Sequence, residues 1–210
     1  MFAPEGWPFI LGGAAFAAVA GLLWPRSALL AGAGLLVTLF SAWFFRNPDR
    51  TPPAEAGVVV SPADGRIVYA GDCPPGRYTK EAGQRVSVFM SPLDVHVNRA
   101  PVTGTVVAVR YHPGEFHVAS VDKASLKDEQ NGVAIATPEG RTVTYVQIAG
   151  LVARRIVCDV KEGDAVRQGQ RVGMIRFGSR VDVYLPADAR LRVSVGDRVR
   201  AGETVVGAFR

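Results

Sequence analysis

Val160-Lys161-Glu162-Gly163-Asp164-Ala165-Val166-Arg167-Gln168-Gly169-Gln170-Arg171-Val172 is echoed about thirty-three positions downstream by Val193-Ser194-Val195-Gly196-Asp197-Arg198-Val199-Arg200-Ala201-Gly202-Glu203-Thr204-Val205. Each copy carries a Gly-Asp turn, a valine-rich strand of period two, a second glycine turn and another short strand. Two such units pair into a flattened barrel. Between the copies lies Phe177-Gly178-Ser179-Arg180, a Gly-Ser step wedged between valine-rich segments.

This pairing of half-motifs resembles that of biotinyl and lipoyl carrier domains, which hold a modified lysine on the hairpin between the halves. Here the hairpin has no lysine; it has Ser179, preceded by Gly178, whose missing side chain lets a hydroxyl swing onto the preceding carbonyl. Attack of that hydroxyl on its own preceding carbonyl converts the amide to an ester. Elimination then leaves dehydroalanine, which hydrolyses to a pyruvoyl group and ammonia. The chain splits between Gly178 and Ser179, and the short piece begins with a ketone that can form a Schiff base with a substrate amine and act as an electron sink. A Gly-Ser pair on a hairpin is also a common turn, so the rest of the chain has to supply the weight.

Upstream, short valine-rich runs broken by Gly and Pro give an all-β signature: Val58–Val60, Arg66–Ala70, Val86–Met90, Gly104–Tyr111, Val133–Thr137 and Val143–Ile148. Val118–Gln130 reads as a loop with one helical turn. Ser61-Pro62-Ala63-Asp64-Gly65 fixes a carboxylate in a tight turn after a buried strand. Ser91-Pro92-Leu93-Asp94-Val95-His96-Val97-Asn98-Arg99-Ala100-Pro101 places His96, one of three histidines, between valines. His96 fits either a structural hydrogen-bonded imidazole or a base. His112 and His117 flank the Pro113-Gly114 turn, which suits a loop beside the substrate pocket better than a metal site; no metal is expected.

The net charge of +5 is spread along the chain, and no Lys/Arg block marks a nucleic-acid surface. Cys73 and Cys158 stand far apart without a disulfide or metal pattern, which fits a reducing compartment. At the N-terminus, Trp7–Trp24 and Ala28–Phe45 are uncharged apolar stretches near the lower length for crossing a hydrocarbon core of roughly 30 Å. Pro25-Arg26-Ser27 between them forces an antiparallel hairpin, and Gly12, Gly13, Gly21, Gly32 and Gly34 allow close helix approach. Glu5 and the absence of a basic leader argue against a cleaved signal peptide, and Arg46 and Arg50 place the following domain on the cytoplasmic side of the cell membrane. The organisation read from this is a hairpin anchor over 1–46, a proline-rich linker over 47–56 and a β-rich domain over 57–210.

Taken together, Phe44-Phe45-Arg46-Asn47-Pro48-Asp49-Arg50, the Asp64 and His96 motifs, Gly150-Leu151-Val152-Ala153-Arg154-Arg155 and Phe177-Gly178-Ser179-Arg180 resemble the phosphatidylserine decarboxylase family, in its short pyruvoyl-dependent form. The resemblance implies a proenzyme cut into a large chain, 1–178, and a small chain, 179–210, that stay associated, with a pyruvoyl cofactor derived from Ser179. It implies decarboxylation of a membrane phospholipid, phosphatidylserine, to phosphatidylethanolamine. Longer members carry two histidines three apart in the His96 segment, whereas here the second position is Arg99; His96 is therefore assigned proton transfer in both stages, with Asp64 orienting or charging it. Arg99, Arg176, Arg180, His112 and His117 are candidate substrate contacts. A homodimer is compatible with the sequence, which does not require one. The rival reading is a non-enzymatic membrane-anchored adaptor with a lipoyl-like barrel, but such adaptors carry long helical hairpins inside the barrel and none is visible here. A carrier domain fails for want of the lysine.

Overall fold

The apolar stretches fold as α1 (Trp7–Leu23) and α2 (Ala28–Phe44), preceded by a single 3-10 turn at Pro4–Gly6. The computed structural model describes residues 1–23, 28–114, 128–150, 155–176 and 179–209. Two of the five glycines make the close approach: a Cβ on Gly13 would lie 2.7 Å from Thr38 Oγ1, and one on Gly34 2.8 Å from the Ala17 nitrogen. Gly12, Gly21 and Gly32 face open space. The open end of the hairpin is tied by Ala3 N–H to Phe45 O and Asn47 N–H to Met1 O, with Phe9 stacked on Phe45. Leu11, Phe16, Leu22, Leu29, Leu36 and Trp43 point outward. Pro4–Leu22, 19 residues, is long and apolar enough to cross a membrane. These helices belong to one compact unit, Met1–Asp49; Arg50–Arg210 form the second.

The second unit is mainly β. The strands among the described residues are β1 (Val58–Val60), β2 (Gly65–Cys73), β3 (Gly83–Met90), β4 (Val97–Arg99), β5 (Gly104–His112), β6 (Gln130–Ala136), β7 (Thr142–Ala149), β8 (Ile156–Cys158), β9 (Ala165–Val166), β10 (Arg171–Ile175), β11 (Ser179–Pro186), β12 (Ala189–Leu191), β13 (Arg198–Val199) and β14 (Val205–Phe209). An eight-stranded sheet runs β13-β2-β3-β11-β7-β6-β5-β9, with two three-stranded sheets, β1-β14-β12 and β4-β10-β8. Period-two alternation sends Val181, Val183 and Leu185 of β11 into the core beside Val86, Val88, Val133 and Tyr145.

The repeated sequence adopts one geometry twice. Gly163 and Gly196 have φ of 92° and 99°, and Gly169 and Gly202 both have 77°, conformations in which a Cβ is strained. Gly163 N–H donates to Val106 O and Gly196 N–H to Ile67 O, both at 2.8 Å; Asp164 and Asp197 each accept a backbone N–H three residues upstream. The copies occupy opposite edges of the large sheet, β9 pairing β5 and β13 pairing β2. The likeness extends further. The order β13-β2-β3-β11 mirrors β9-β5-β6-β7, and β1-β14-β12 mirrors β4-β10-β8. Strands β4 to β10 thus form one half of the domain, set between β3 and β11 of the other.

Candidate active site

Two segments carry the chain between the halves: 91–96 from β3 to β4, and 176–178 from β10 to β11. The strands that flank them are paired, Ser179 with Met90 at one end and Met174 with Val97 at the other. Ile175 N–H donates to His96 O at 3.3 Å between them. Gly178 lies outside the described residues, as do His117 and most of the loop predicted over Val118–Gln130.

Ser179 is the first residue of β11, fully buried, and in register with Met90 of β3 and Ala149 of β7. Its hydroxyl donates to the Met90 sulfur at 3.3 Å. His96 is also fully buried. The turn that aims it is closed by Asp94, whose carboxylate accepts Ser91 N–H at 2.8 Å. The His96 Nδ1 lies 3.0 Å from Asp94 O. A carbonyl only accepts, so this bond puts the hydrogen on Nδ1 and leaves the lone pair of the neutral ring on Nε2.

Asp64 is held elsewhere on the turns. Its carboxylate accepts Ala201 N–H at 2.7 Å and pairs with Arg50 at 2.8 Å, while Arg50 also reaches Glu203. Burial pushes the Asp64 carboxyl above its ordinary range, against the pull of Ala201 N–H and Arg50; the nearby Asp94 charge adds to the push. At the matching turn of the other half, Thr103 Oγ1 accepts Gln168 N–H at 2.9 Å.

The cations proposed from sequence are dispersed. Arg99 donates to Gly169 O at 2.8 Å, and Arg176 N–H to Arg155 O. Arg180 is sealed in the domain beside Asp182, Nε 2.8 Å from Oδ1. His112 packs edge-on against Tyr78 at the end of β5, with Nε2 lacking a hydrogen-bond partner among the described residues.

Three buried amides went unnoticed in the sequence. Asn131 Nδ2 donates to Gln147 Oε1, and Gln147 Nε2 donates to Asn98 Oδ1, each at 3.0 Å. Asn98 Nδ2 in turn faces the Met90 sulfur at 3.8 Å. The available signal was an amide at a core-facing position in a valine-rich strand, as Gln147 is between Val146 and Ile148.

Sequence likeness puts this site among decarboxylases. The family model described as Phosphatidylserine decarboxylase matches residues 37–207, a span that includes both crossing segments. The chain is 51% identical over 205 residues to the phosphatidylserine decarboxylase proenzyme of Paramagnetospirillum magneticum, covering 96% of this chain and 84% of that protein. It is 47% identical over 206 residues to the proenzyme of the same name from Geotalea uraniireducens, covering 98% and 95%. Against that of Mycolicibacterium smegmatis it is 51% identical over 207 residues, covering 96% and 86%. The chain belongs to the phosphatidylserine decarboxylase family.

Proposed function

We propose that this chain decarboxylates phosphatidylserine to phosphatidylethanolamine, using a pyruvoyl group that it makes from Ser179 by cutting its own backbone after Gly178. The observation that carries the reading is Ser179 itself, a nucleophile sealed at the head of a central strand where the chain passes between halves. A ketone at that position supplies an electrophile for the substrate amine and a sink for the electrons of the departing carboxylate. Ser179 is fully buried, with its hydroxyl against the soft Met90 thioether, so a ketone formed at this residue would be shielded from water.

His96, with its lone pair on Nε2, is the proposed proton carrier in processing and turnover. The small chain stays docked after the cut, because β11 pairs with β3 and β7, β13 with β2, and β14 with β1. The apolar hairpin keeps the domain at the bilayer surface, on the cytoplasmic side of the cell membrane, where a diacyl substrate resides. Denaturing mass analysis of the whole chain tests the reading together with conversion of labelled phosphatidylserine in mixed micelles. Two fragments and product are expected from the wild type, and an intact 22.4 kDa chain with no product from Ser179→Ala. An active wild-type chain found uncut refutes it.

A further inference from the structure

The amide chain has a direction that its partners enforce. Gln147 Nε2 donates to two acceptors, Asn98 Oδ1 at 3.0 Å and Val157 O at 3.2 Å, while its Oε1 receives Asn131 Nδ2. Val157 O only accepts, so flipping the Gln147 amide would break every one of these bonds. Gln147 therefore locks Asn98 with its oxygen turned back and its NH2 forward. Among the described residues the forward nitrogen finds the Met90 sulfur, 3.8 Å away and a weak acceptor, and Ser179 Oγ lies on that same sulfur at 3.3 Å. Asn98, Asn131, Gln147, Met90 and Ser179 are all 2% exposed or less. A dry amide NH2 with a thioether as its partner among the described residues is a donor held below its capacity.

We propose that Asn131, Gln147 and Asn98 form a positioning relay that presents one N–H to Ser179 Oγ, the oxygen that attacks the Gly178 carbonyl and then leaves with Gly178 as part of its carboxylate. The proposal rests on the reading of Ser179 given above. Asn98 is the tip, Gln147 the clamp that sets its orientation, and Asn131 the anchor that sets the clamp.

The test uses the whole chain in detergent micelles with two readouts besides turnover: the rate of self-cleavage by denaturing mass analysis, and the rate of phenylhydrazine adduct formation at residue 179. Asn98→Asp keeps shape but turns an acceptor toward the sulfur. It is expected to slow both rates about 10-fold or more near pH 8, the order seen when a preorganised donor is removed. Lowering the pH should restore them relative to wild type, because the protonated carboxyl donates again. Gln147→Met removes the clamp and should slow both with no recovery on acidification. Wild-type rates in either variant overturn the relay, as does an Asn98→Asp defect that is equal at every pH. Loss of the thermal transition in both variants also overturns it, assigning the amides to packing alone. An uncut wild-type chain without a reactive carbonyl refutes instead the reading of Ser179.

Discussion

Replacing Asp182 by leucine removes the carboxylate beside the arginine that follows the proposed cut. Arg180 and Asp182 lie two residues apart on the outward phase of β11, 1% and 0% exposed. Arg180 Nη2 donates to Oδ2 at 3.0 Å, while Nε stands 2.8 Å from Oδ1 without hydrogen-bond alignment. Opposite unit charges 2.8 Å apart attract by about 6 kcal/mol at an effective dielectric of roughly 20. Desolvation costs several kcal/mol per ion, so the intact pair contributes little net stability. Removing one member is different, because the desolvation of the other remains after this attraction is gone. Asp182→Leu should therefore lose about 3–5 kcal/mol, while Arg180→Met with Asp182→Leu should recover most of that loss. Urea titration of the micelle-bound chain, followed by near-ultraviolet circular dichroism, measures both singles and the double variant as a cycle. A single-variant loss below about 1 kcal/mol, or a double variant as damaged as the sum of the singles, refutes the electrostatic account.

Tyr145 carries a fully buried hydroxyl with no hydrogen-bond partner among the described residues. Tyr145→Phe should thus be neutral or stabilise by up to about 1 kcal/mol in the same titration, and a clear loss would reveal a partner for the phenol. Gly163 and Gly169 both have left-handed φ, but a Cβ meets nothing at Gly163 and falls 2.5 Å from Pro52 Cγ at Gly169. Gly163→Ala should cost about 1–2 kcal/mol by thermal melting and Gly169→Ala distinctly more; equal losses would show that Pro52 yields freely. Asp64 has its folded-state pKa raised by burial, so its share of stability is full below the ordinary value of 3.8 and is lost as pH rises through the elevated one. Asp64→Asn should flatten that part of the stability–pH curve, and an unchanged slope would place the titration on another group.

The glycine turns of the repeat were legible because a left-handed backbone demands a residue type that the sequence displays openly, at Gly163, Gly169, Gly196 and Gly202. Strands β1, β3 and β7 and both helices were legible for a related reason, since hydrophobic period and length are local properties. Pairing is not local. Asp64 was visible as a turn carboxylate, yet its bond to Arg50 and its cap on Ala201, 137 residues away, follow from which turns the sheet edges bring together. The amides were hidden for the same reason: a polar residue at an inward phase announces a satisfied partner without saying which one.

The doubled architecture explains why the candidate site has no counterpart elsewhere in the repeat. Turns that match between the halves have matching duties, as when Asp64 and Thr103 each accept one backbone N–H from the opposing glycine turn. What has no counterpart is the pair of crossings, since a chain that sets one half between two segments of the other must leave once and return once. His96 ends the outgoing crossing and Ser179 follows the incoming one, with β3 paired to β11 on one side and β4 to β10 on the other. A cut after residue 178 would fall between strands that belong to different halves, at the very start of β11. The proposed cut thus falls where the chain passes between halves, and Asn98, on the strand that the outgoing crossing enters, shares the Met90 sulfur with Ser179.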